Sequence, residues 1–105
     1  MSKAVDEYDN LVAALSKSEG VVPGQMFGKA CLKVNGKAFL AQHKEWVVFK
    51  LSGITHEKAL SVKGAELWDP SGKGRPMKEW VAVPASENRG FKAFAAAALS
   101  YVAEG

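Results

Sequence analysis

Apolar residues near the start of the chain recur at steps of three and four: Val5, Tyr8, Leu11, Val12 and Leu15, with Asp6, Glu7, Asp9 and Asn10 filling the other side. That period predicts an amphipathic helix, and acids in its first turns suit the positive end of the helix dipole. Gly20 is expected to stop it and Pro23-Gly24 to redirect the chain. The pattern then becomes strand-like. In "ACLKVNGKAFLA" the pair Asn35-Gly36 separates two apolar runs. Both central positions of a type I′ turn need positive φ, which these two residues tolerate best, so a two-residue hairpin is predicted. Counting outward from it, Val34 faces Lys37, Leu32 faces Phe39 and Ala30 faces Ala41 on the side expected to be core. Lys33 with Ala38 and Cys31 with Leu40 point to the other side. A second turn near Gln42-His43-Lys44-Glu45 leads into "WVVFKLS", apolar on both faces, which predicts a central strand partly covered on its second side.

Further along, Thr55 is the expected cap of a short helix ending at Gly64. "AELWD" and "MKEWVAV" read as two more strands joined by a Gly- and Pro-rich loop. Ser86 is the expected cap of a last helix whose stripe is Phe91, Phe94, Ala98 and Tyr101. The order is α-β(3)-α-β(2)-α, with room for a short strand ahead of the first three. Strands joined largely by hairpins, with helices gathered on one face, predict a two-layer α+β sandwich. Its antiparallel sheet would have about five strands, and residues 1–105 would form a single domain.

Composition fits this picture. The chain is 48% hydrophobic and 24% charged, far from a disordered composition. Cys31 is the sole cysteine, which leaves no internal disulfide or thiolate cluster, suits a reducing cytoplasm and predicts a small buried hydrophobe. No basic leader followed by an apolar run opens the sequence, and no apolar run approaches a membrane span, so neither export nor membrane insertion is expected. Charge is uneven: residues 29–82 hold ten cations against five acids, whereas residues 1–28 carry a net −2. A basic middle could face nucleic acid or an acidic partner, and it also serves solubility and edge protection.

Known chemistry finds little purchase. "SGKGRP" resembles a phosphate cradle, but Gly74 follows Lys73 where a P-loop needs Ser or Thr, and Leu67 stands where its first glycine belongs. No Gly-x-Gly-x-x-Gly links a strand to a helix. His43 and His56 are the only histidines, placed in a turn and at a helix start, and both read as surface residues without ligand-spaced partners. No nucleophile elbow or acid–base pair stands out. Catalytic, cofactor and metal residues are therefore expected to be none.

Taken together, "MFGKACLKVNGKAFLA", "WVVFKL", "GAELWDPSGKGRPMKEWVAVP" and an alanine-rich helix ending "SYVAEG" resemble the N-terminal domain of the TfoX/Sxy family of bacterial competence regulators, from about Asp6 to Val102. Met26-Phe27-Gly28, Asn35-Gly36-Lys37-Ala38-Phe39 and Gly74-Arg75-Pro76-Met77 with Trp80 carry the likeness by their order and spacing. The resemblance implies a two-layer α+β sandwich with an antiparallel sheet, akin to YjbR-like domains, and brings no established catalytic or cofactor residues. Lys29 stands where many members have a second glycine, and the further C-terminal domain of full-length regulators is not in this sequence, so a competence role is not carried over. The expectation is a non-enzymatic regulatory or protein-interaction module, a monomer or homodimer with a protein partner yet to be identified. That partner would dock on the second face of the sheet or on the rim of Lys73, Arg75, Lys78 and Trp80. Arg75 would anchor a carboxylate or phosphate, and Trp80 would supply the aromatic contact. Nucleic-acid binding through the basic middle is the alternative, though the aromatics do not interleave with the lysines as a stacking platform needs.

Overall fold

In a computed structural model, which describes residues 3–74 and 76–104, the elements run α1 (Lys3–Leu15), β1 (Val21–Met26), β2 (Lys29–Val34), β3 (Lys37–His43), β4 (Trp46–Lys50), α2 (Gly53–Leu60), β5 (Glu66–Trp68) and β6 (Met77–Pro84). A 3-10 turn (Asn88–Gly90) and α3 (Phe91–Glu104) complete the chain. The strands form one antiparallel sheet in the order β1-β2-β3-β4-β6-β5, so the α+β class holds with six strands where about five were expected. No helix is long and apolar enough to cross a membrane among the described residues.

The additional strand is the stretch expected to turn. Pro23 and Gly24 lie inside β1, paired with Leu32 and Cys31. A proline fits there because β1 is an edge. The N–H of Val21 is used by the Ser18 carbonyl, so Val21 turns its backbone away from β2, and Pro23, two residues on, turns the same way. Its missing N–H therefore removes an outward donor rather than a ladder bond, and it discourages pairing by another chain.

The helix-side core joins Leu32, Val34, Phe39, Leu40, Val47, Phe49, Val81 and Val83 of the sheet to Tyr8 and Leu11 of α1 and to Phe91, Phe94, Ala98 and Val102 of α3. Phe49 is its centre, with ring centroids 5.3 Å from Phe91 and 5.7 Å from Phe94. The inward stripe of α1 runs through Ala4, Tyr8 and Leu11, while Val5 faces solvent. Ser52 rather than Thr55 precedes α2, and Ser86 lies ahead of the 3-10 turn rather than at the start of α3.

The predicted hairpin forms. Asn35 and Gly36 take φ of 52° and 83°, and Val34 pairs with Lys37 and Lys33 with Ala38. Past that point the predicted register fails. Leu32 pairs with Leu40 and Cys31 with Ala41, because a bulge inserts Phe39 as an extra residue. A bulge lets two successive side chains share a face. Phe39 and Leu40 both enter the helix-side core, and everything after them in β3 changes sides, which puts Ala41 and His43 on the second face.

Candidate functional site

The second face has a core of its own, formed by Cys31, Ala41, Val48, Trp68, Trp80 and Ala82, with Met26, Ala38, Trp46 and Met77 at its margin. Small side chains on the floor of the sheet leave room for indole rings above them. Trp68 is fully buried although it sits on an edge strand, with its ring 5.5 Å from Trp80. The ring of Phe27, from the β1–β2 turn, meets Trp68 edge-on at 6.2 Å. Because β2 and β5 lie far apart in the strand order, this contact requires the sheet to curl, making the second face concave. Phe27 is 62% exposed and holds φ of 54°, a left-handed conformation that costs a non-glycine residue energy.

His43 sits at one end of this hollow. It is 8% exposed, not the surface residue expected from its position near a turn. The Trp68 Nε1–H donates to His43 Nδ1 at 2.9 Å. An indole nitrogen can only donate, so Nδ1 must be the bare acceptor and the ring proton is held on Nε2. Nε2 makes no hydrogen bond within the described residues, yet no buried side-chain nitrogen or oxygen there lacks a partner, so solvent reaches it. Burial, reinforced by the positive charges of Lys29 and then Lys44, holds the imidazole pKa below its ordinary value. Near neutral pH, His43 therefore presents an N–H donor without a charge.

Beside His43 lies a cavity of about 470 Å³. Lys29 borders it from β2 and Lys44 from the β3–β4 turn, Trp46 and Leu67 supply apolar wall, and Glu66 and Asp69 come from β5 and the loop after it. Lys44 is held in place through its backbone: it adopts φ of 53°, and the Gln42 side-chain amide donates to its carbonyl at 2.7 Å.

The loop beyond β5 is organised from within. Asp69 Oδ1 accepts from the Ser71 hydroxyl at 2.8 Å and from the Gly72 N–H at 3.0 Å, while Oδ2 accepts from the Gly74 N–H at 2.8 Å. A phosphate cradle needs such N–H groups directed at a ligand. Here the chain's own carboxylate takes them.

The described members of the rim expected to bind a partner differ in exposure. Lys73 is exposed in the loop and Lys78 is exposed on β6, where the His56 ring nitrogen Nε2 approaches its backbone carbonyl at 2.7 Å and ties α2 to the strand. Trp80 is only 7% exposed and packs in the second-face core, so it does not offer the aromatic contact expected of it. Arg75 lies outside the described residues. Lys73, Lys78 and Trp80 do not line the cavity. The residues that do meet there, His43 with Trp68, are 25 positions apart and are brought together by the bulge at Phe39. No local motif marks them; the only sequence signal is a histidine following a strand whose opposite face is apolar.

Among the described residues, no group of three or more His, Cys, Asp or Glu is placed to hold a metal ion. Comparison with known proteins finds no match to a family model, to a curated protein or to a solved structure.

Proposed function

We propose that this chain is a non-enzymatic regulatory or protein-interaction module, of the kind implied by its resemblance to the TfoX/Sxy N-terminal domain. Its binding surface is the concave second face of the sheet rather than the Lys73–Lys78 edge. The observation that carries this reading is the cavity beside His43, where an oriented N–H donor borders a pocket walled by tryptophan and flanked by two lysines. A pocket that combines apolar wall with a few convergent polar groups has the general form of a binding site. Partner contacts would centre on Trp46, with Phe27 at the rim, because buried aromatic anchors contribute most to such interfaces.

The test is capture of a protein partner from extract of the source cell by wild-type protein and by two variants. Trp46→Ala with Lys44→Glu is expected to lose the partner, and Lys73→Glu with Lys78→Glu to retain it. Loss with the second variant and retention with the first would move the site to the charged edge and overturn the reading.

A further inference from the structure

The contents of the cavity specify a ligand chemistry more closely than the module's general role does. Three groups of positive or donor character converge on it from separate elements: Lys29 from β2, the Nε2–H of His43 from β3, and Lys44 from the β3–β4 turn. The two acids on its border are not equivalent. Asp69 has both oxygens engaged by the loop after β5, where they accept three hydrogen bonds, so it is committed to holding that loop. Glu66 is exposed. The lining as a whole carries two lysines and two carboxylates, but at the His43 ring it is the fields of Lys29 and Lys44 that are felt, and there they favour an anion. The rest of the lining is mixed: Trp46, Leu67 and Ala82 supply indole and aliphatic wall, and Ser71 and Gly72 border it from the loop after β5.

We propose that this cavity binds a carboxylate carried on an apolar body, with the carboxylate accepting from His43 Nε2–H between Lys29 and Lys44 and the body lying against Trp46. The proposal rests on the second face being the binding surface and adds what it binds. His43 is well suited to the task because Trp68 fixes its tautomer, so the donor is oriented before a ligand arrives and little freedom is lost on binding. A carboxylate fits better than a phosphate. The backbone donors that would multiply contacts to a phosphate, Gly72 N–H and Gly74 N–H, are already taken by Asp69. The carboxylate could come from a free organic acid or from the C-terminus of a protein partner, and the two are separable by experiment.

The experiment uses the whole chain, labelled with nitrogen-15, and follows the Trp68 indole N–H and the His43 ring during titration. The probes are benzoate, its neutral counterpart benzamide, inorganic phosphate, and a short peptide ending in phenylalanine as the free acid or as the amide. Benzoate or the free-acid peptide is expected to shift both resonances and to bind roughly tenfold or more tightly than its neutral counterpart. Response to benzoate assigns a free acid, and response to the peptide alone assigns a protein C-terminus. Bound carboxylate should also raise the His43 pKa, since a nearby negative charge favours the imidazolium. Lys29→Ala and Lys44→Ala lie outside both cores and should each weaken benzoate or the peptide about three- to fivefold while leaving benzamide unchanged. Equal binding of benzamide at the same resonances would overturn the carboxylate and leave the second face as the binding surface. Phosphate binding in preference to both acids would overturn it in the same way. If no probe, charged or neutral, moves either resonance, the proposal and the reading beneath it both fail.

Discussion

Protonating His43 should loosen the second face in a way traceable to one hydrogen bond. With the imidazole neutral, Trp68 Nε1–H donates to Nδ1 at 2.9 Å. A proton on Nδ1 would set two donors against each other and leave the indole N–H of a fully buried residue without an acceptor. An unsatisfied buried donor costs about 1–3 kcal/mol. The direction with pH follows from the shift: the folded-state pKa lies below the unfolded value near 6.5, so the neutral form's contribution is complete above pH 6.5 and is lost as pH falls through the folded value. Lys29 and Lys44 add to this by opposing a further positive charge, while Glu66 and Asp69 are the acids facing the same cavity. Urea unfolding followed by far-UV circular dichroism between pH 8 and pH 4.5 would measure the loss. Trp68→Phe is the reference, because a phenyl ring has no N–H to conflict with the imidazolium. The wild type should lose about 1–3 kcal/mol more than Trp68→Phe across this range. Parallel stability curves for the two proteins would refute the assigned tautomer and its energetic role.

Other consequences are simpler to check. Cys31 is buried in the second-face core, and burial pushes its thiol pKa up, so a thiol reagent should label it only when the protein unfolds. Reaction of the native protein within seconds would contradict its placement. Gly36→Ala forces a side chain onto φ of 83° and should destabilise by about 1 kcal/mol in equilibrium unfolding, with the strand pairing intact by hydrogen exchange. Asp69→Ala removes the acceptor of three loop hydrogen bonds. It should cost about 1 kcal/mol and speed amide exchange at Gly72 and Gly74, with little change at β6.

Local signals read the local parts of this fold well. Asn35-Gly36 declares its turn because few other pairs accept positive φ at both positions, and the apolar steps of α1 and α3 declare which faces meet the sheet. Structure and local signal part where distant partners decide the outcome. Pro23 reads as a breaker until β2 is known to lie on one side of it only. The bulge at Phe39 leaves no distinct composition, yet it exchanges the faces of Leu40 and Ala41 and carries His43 to the hollow where Trp68 waits. Trp80 illustrates the same limit. Its neighbours Lys78 and Glu79 are exposed, and its own burial depends on how far the sheet curls over Trp68. The candidate site was thus hidden for the reason the fold was visible: periodicity reports what each segment prefers, and the cavity arises from where four segments meet.

We propose the second face, and no other surface, as the place where this domain binds. A mixed set of small neutral and acidic fragments, titrated into the labelled protein with every backbone and indole N–H observed, tests it most directly. The groove between α1 and the start of α3, about 660 Å³ and bordered by Leu11 and Phe91, provides an internal comparison. The largest shifts should gather at His43, Lys44, Trp46 and Trp68. Shifts centred instead on that groove, or on Lys73 and Lys78, would contradict it.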